Sequence, residues 1–134
     1  MTETAQPGPG TVRNLEDLRV DKPWGHELRF AITDRYLGKV IHVNRGEALS
    51  LQYHEQKDET LLMTEGVMDL ELAAEDGQMI THRLSPGNCI RIVPGRMHRM
   101  VAVEDCEFFE VSSPEINDVI RVEDRYGREG TSAG

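Results

Sequence analysis

Apolar and polar residues alternate along this chain in short runs, each closed by a turn signal, and no stretch keeps a helical period. Residues 27–32 (ELRFAI) alternate up to Thr33-Asp34-Arg35, and residues 36–43 follow as a hairpin partner. Residues 48–54 and 59–65 are separated by the polar turn 55–58. Residues 67–73 and 78–84 flank Asp76-Gly77, the strongest local turn signal in the chain. Residues 88–93, 97–103 and 106–112 are spaced by Ser85-Pro86-Gly87, Pro94-Gly95 and Glu104-Asp105. Strands this short and this regularly spaced predict an all-β sandwich or barrel. Residues 14–19 read as a short cap or helical turn, 21–26 as a turn carrying the only tryptophan, Trp24, and 116–122 as a last extended or helical piece.

With 134 residues the chain is expected to form one domain, at 13–128. Residues 1–12, rich in Pro, Gly, Thr and Glu, read as a disordered tail, and 129–134 as a loose one. The net charge of −9 disfavours nucleic acid and anionic membranes as partners. No apolar run approaches a membrane span, and MTETAQPGPG lacks the basic start and apolar core of a signal peptide, so a cytoplasmic location is expected. Cys89 and Cys106 fall in runs that read as neighbouring strands, where a bridge is conceivable, but both are expected to be reduced.

Chemistry concentrates between Gly46 and Gly66, GEALSLQYHEQKDETLLMTEG. Alternation puts Leu49, Leu51 and Tyr53 on one face of a strand and Ser50, Gln52 and His54 on the other. After the turn, Glu59 opens a second strand and can return to the same side, so amide oxygen, imidazole and carboxylate would converge across one hairpin. For an isolated strand, the simpler reading leaves Gln52 and His54 in water. The spacing of the whole stretch is Gly, five residues, Gln, one, His, four, Glu, six, Gly. It resembles the first metal-binding motif of the cupins, with Gln52 where a His is commoner. The second motif follows at Gly87, with Gly95 and His98 in place and Val93 where a Pro is usual.

The likeness extends further. Lys22-Pro23-Trp24-Gly25, Leu49–His54 with Glu59, His98-Arg99 and DVIRVEDRYGR from Asp118 to Arg128 resemble the cupin domain of type II mannose-6-phosphate isomerases. That resemblance implies a single-domain jelly-roll barrel (double-stranded β-helix) holding one divalent metal per chain. It assigns Gln52, His54, Glu59 and His98 as ligands, and it implies aldose–ketose isomerisation of a sugar phosphate by proton transfer through an enediol. Two imidazoles, a carboxylate and an amide oxygen suit Zn, Mn, Fe or Co with open positions, at which a Lewis acid can polarise a substrate oxygen.

In this arrangement Ser50, Gln52 and His54 line the interior, while Leu49, Leu51 and Tyr53 face outward and suit a homodimer. Lys39, His26 and Glu110 are candidate bases. Arg91, Arg99 and Arg121 are candidate anion sites, with Arg121 favoured because it lies in the family-like tail. Lys39 and Arg121 are therefore the expected catalytic residues. Trp24 either stacks on a sugar ring or packs the amino-terminal turn onto the barrel. Two other functions stay open: an iron-dependent dioxygenase, since His54, Glu59 and His98 form a two-His, one-carboxylate set, and a non-catalytic metal-containing module that binds a carbohydrate or small molecule.

Overall fold

The computed structural model describes residues 8–131. These form a 3-10 helix, Leu15–Leu18, followed by β1 (Arg19–Lys22), β2 (Gly25–Ile32), β3 (Leu37–Val43), β4 (Leu51–Tyr53), β5 (Glu59–Glu65) and β6 (Met68–Ala73). Then come β7 (Met79–Leu84), β8 (Cys89–Ile92), β9 (His98–Ala102), β10 (Cys106–Ser112), β11 (Ile120–Glu123) and β12 (Gly130–Thr131). They make two six-stranded sheets, in the orders β1-β2-β3-β10-β5-β8 and β12-β11-β4-β9-β6-β7. The sheets pack face to face as a jelly roll, the all-β architecture anticipated from the alternation.

Local chemistry explains the corners. Asn14 caps the 3-10 helix by accepting from Glu16 N at 3.0 Å. Thr33 Oγ1 accepts from the backbone of Arg35 and Tyr36 and closes the β2–β3 turn. Gly66 has φ +74°, and a Cβ there would lie 2.1 Å from the Asp105 carbonyl oxygen. Only glycine fits that close crossing.

Between the sheets, inward residues of both build one apolar core. It contains Val43, Ile41, Leu61, Met63, Phe108 and Cys106 from the first sheet and Met68, Leu70, Met100 and Ala102 from the second. Each large side chain fully buried here contributes about 1.5–3 kcal/mol.

Several expectations are corrected. Residues 19–22, partly assigned to a turn, are a strand paired with β2. The run 48–54 is a strand only at Leu51–Tyr53, with an isolated bridge from Ala48 to Val101. β4 and β5 are not a hairpin, because they lie in opposite sheets and the 54–58 segment crosses between them. Leu49 does not face outward but packs against the core. Cys89 and Cys106 are not on adjacent strands: β8 and β10 pair with β5 from opposite sides, and both thiols are free. Gly130–Thr131, inside the stretch read as loose, pairs with β11. The expected amino-terminal tail lies outside the described residues up to position 7, and 8–12 are exposed.

Candidate metal centre and its pocket

At one end of the barrel the inward positions change from apolar to charged. His54 follows the last residue of β4, Glu59 is the first of β5, and His98 is the first of β9. Their side chains meet between the sheets, with one ligand atom from each all within 4.8 Å of one another. All three are buried. Gln52 sits in register opposite His98, and its Oε1 accepts from Ser50 Oγ at 2.7 Å.

Both histidines are oriented by main-chain carbonyls. His54 Nδ1 bonds Asp118 O, and His98 Nδ1 bonds Arg96 O at 2.9 Å. A carbonyl oxygen only accepts, so each Nδ1 carries the proton and each Nε2 presents a lone pair. His54 Nε2 is 3.0 Å from Glu59 Oε2. His98 Nε2 and Glu59 Oε2 are buried without completing a hydrogen bond. Lone pairs converging on one point repel unless a cation lies among them, so this donor set fits a divalent metal.

Electrostatics reinforce that fit. Burial alone would raise the Glu59 carboxyl, but the Lys57 ammonium beside it holds it well below the usual carboxylate range. Burial lowers His98 and keeps it neutral, as a metal ligand requires.

Next to these ligands lies a pocket of about 60 Å³ lined by Lys22, Trp24, Glu27, Lys39, Leu49, Ser50, Gln52, His54, Lys57, Ile116, Val119, Arg121 and Arg128. Its charged groups are held in place by ion pairs. Glu27 Oε1 accepts from Arg29 Nε at 2.7 Å and lies 3.3 Å from Lys39 Nζ. Lys57 Nζ is 2.7 Å from Glu110 Oε2 and 3.5 Å from Glu59 Oε2. Burial opposes charge on Lys57, but Glu110 and Glu59 outweigh it and keep the ammonium protonated. Lys22 is different. Burial, with Arg29, Lys39 and Arg121 and against the pull of Glu27, lowers its pKa to about 8. Arg121 is 7% exposed, and its Nε and Nη1 are buried without partners.

The structure thus brings His54, Glu59 and His98 together and places Gln52, Lys39 and Arg121 around the same pocket. Glu110 is buried nearby but is engaged by Lys57. His26 is not in the pocket and stacks on His42 at 5.1 Å between ring centroids. Arg91 pairs with Asp58, and Arg99 with Glu71, away from the site. Trp24 packs in the core while also lining the pocket.

Sequence reasoning missed Lys22, Glu27 and Lys57 as pocket residues. Glu27 and Arg29 share one face of β2 two residues apart, and this pairing of opposite charges at one parity was the available signal for Glu27. Lys57 was hidden in a turn that reads as solvated.

No curated protein matches the chain. KdgF from Halomonas sp. superposes with a TM-score of 0.63 at 26% identity, covering 72% of this chain and 87% of its own. Oxalate decarboxylase from Bacillus subtilis gives 0.69 at 21% identity, covering 84% of this chain. That of Lactobacillus farciminis, in a formate complex, gives 0.71 at 20%, again over 84%. This chain spans about a third of each decarboxylase, 33% and 37%, and these two likenesses establish the fold alone. The family described as mannose-6-phosphate isomerase C-terminal matches residues 12–124. Over most of its length, then, the chain belongs to the mannose-6-phosphate isomerase C-terminal family of cupins.

Proposed function

We propose that the protein is a metal-dependent isomerase of a small anionic polyhydroxy carbonyl compound, a sugar phosphate being the leading class. One observation carries this reading: three buried ligand atoms converge beside a pocket whose lining includes Arg121, with Nε and Nη1 buried and unpartnered, while the Lys57 and Arg128 of that lining are already paired, with Glu59 and Glu110 and with Asp124 respectively. A guanidinium with unused donors favours an anionic ligand. The family name supports a sugar phosphate.

A divalent ion held by His54, Glu59, His98 and Gln52 would supply Lewis-acid polarisation of a substrate carbonyl. The protein's own groups do the rest. Arg121, with two buried donors unused, binds the anionic end. Lys39, fixed by Glu27, donates to a substrate hydroxyl at the pocket wall. Lys22, with its pKa near 8, is suited to take a proton from the hydroxyl-bearing carbon beside the carbonyl and return it to the former carbonyl carbon, while that hydroxyl's proton passes to the former carbonyl oxygen. Lys57 cannot share that task, because its proton is locked between two carboxylates. Ile116, Val119 and Trp24 limit water around the reacting carbons.

We place this activity in the cytoplasm and in a homodimer. The apolar face available for pairing is the outside of the first sheet, where Phe30, Leu62, Phe109 and Val111 are exposed.

Incubation of metal-loaded protein with aldoses, ketoses and their phosphates in deuterated water tests the reading. One phosphorylated sugar is expected to acquire solvent deuterium at the carbon next to its carbonyl. Oxygen consumption with ferrous iron and no exchange would establish the dioxygenase instead. Ligand-induced stabilisation with neither would establish a binding module.

A further inference from the structure

Asp118 is bonded to the candidate metal centre in two independent ways. Its main-chain oxygen accepts from His54 Nδ1. Its carboxylate accepts three successive backbone N–H groups of the crossing turn: Glu55 N at 3.1 Å on Oδ1, Gln56 N at 2.7 Å and Lys57 N at 2.9 Å on Oδ2. We infer that Asp118 is a positioning residue for the metal site, its carbonyl setting the tautomer and aim of His54 and its carboxylate fixing the turn between His54 and Glu59. This rests on the metal reading but not on the isomerase chemistry.

The geometry explains why one residue has both duties. His54 and Glu59 are five positions apart yet belong to opposite sheets, so the crossing segment has no ladder to hold it. Without an external anchor the amides of the exposed Glu55 and Gln56 would turn to water, and the two ligands would be set independently. Asp118, more than 60 positions away in sequence, supplies that acceptor. The neighbour Val119, together with Ile116, lines the pocket, so the same segment ties the pocket wall to the ligands.

The test is Co²⁺ binding to the full chain by chelator competition, with the Co²⁺ absorption spectrum and the melting temperature of the metal-free protein recorded alongside. Asp118→Ala keeps the carbonyl but frees it, and is expected to weaken Co²⁺ binding by about 10–100-fold and to change the absorption spectrum. Asp118→Asn, which keeps an acceptor but loses the charge, should fall between. Ser113→Ala, which removes a different anchor of the same loop, the bond from Asp58 N to Ser113 Oγ, should bind Co²⁺ as the wild type does. A wild-type dissociation constant and spectrum in Asp118→Ala would overturn the inference. So would a loss of affinity that Ser113→Ala matches at the same fall in melting temperature. If Asp118→Ala does not fold, wild-type binding in Asp118→Asn overturns it equally. A wild-type protein that binds no Co²⁺ refutes the metal reading and the inference together. Metal binding without sugar proton exchange refutes only the isomerase.

Discussion

Two ends of the same strands differ in kind. On β3, β10 and β5 the inward residues at one end are Val43 and Ile41, Cys106 and Phe108, and Met63 and Leu61. At the other end they are Lys39, Glu110 and Glu59, and β9 likewise runs from Ala102 and Met100 to His98. Parity continues along β3, β10 and β5 across the boundary, so strand alternation does not choose the chemistry. The apolar end gains hydrophobic free energy from every residue, whereas the charged end desolvates several ions and recovers that cost only through close pairing. The teaching of the contrast is that stability and function are divided along the barrel axis.

Substitutions at each end sharpen the division. The largest effect on stability is expected at the apolar end. Phe108→Ala should cost about 3–5 kcal/mol in denaturant melts while leaving metal stoichiometry intact in the folded fraction. At the charged end, Lys57→Met leaves Glu59 and Glu110 without their shared cation and should cost about 3 kcal/mol in the metal-free protein. Added metal, bringing positive charge beside Glu59, should recover part of that loss, a recovery with no counterpart in Phe108→Ala. Equal responses of the two variants to metal would erase the distinction.

The smallest effect on stability is expected at Lys22. Lys22→Met should melt close to wild type, yet slow substrate proton exchange by about 10²–10⁴-fold. In the wild type, exchange should rise with pH as the amine loses its proton through about 8 and then level off. The same depressed pKa has a stability sign. The folded chain releases this proton near 8 and the unfolded chain near 10.5, so the unfolded state binds more protons in between and stability rises with pH across that window. A flat exchange profile across pH 7–9 would remove Lys22 from the proton transfer.

Much of this was legible before the fold was seen, for reasons particular to the residues. Strands from β5 to β10 follow period-2 alternation bounded by Gly, Pro and Asp, and β10 falls on the residues anticipated, because local turn chemistry fixes those ends. His54, Glu59 and His98 were legible as a set through motif spacing. The crossing between sheets was not, since a polar four-residue turn followed by a strand reads as a hairpin whichever sheet receives it. β1 was missed because its four residues, RVDK, are mostly charged and owe their conformation to pairing with β2. Leu49 was placed outward by strict alternation, but it packs against the core: it lies between β4, which begins at Leu51, and the isolated Ala48–Val101 bridge, with its N–H donating to the Met100 carbonyl. The role of Lys57 depends on Glu110, which comes from a strand far along the chain and can be recognised only once the register is known.

The most direct test of the central claim is metal binding by the wild-type chain and by His98→Ala, followed by titration with Mn²⁺, Fe²⁺, Co²⁺ and Zn²⁺ after chelator treatment. The converging orphaned atoms of His98 and Glu59 predict saturation at one ion per chain in the wild type, a higher melting temperature on loading, and loss of both in His98→Ala. A wild-type protein that takes up none of these ions, or a His98→Ala variant that binds them unchanged, would contradict the account.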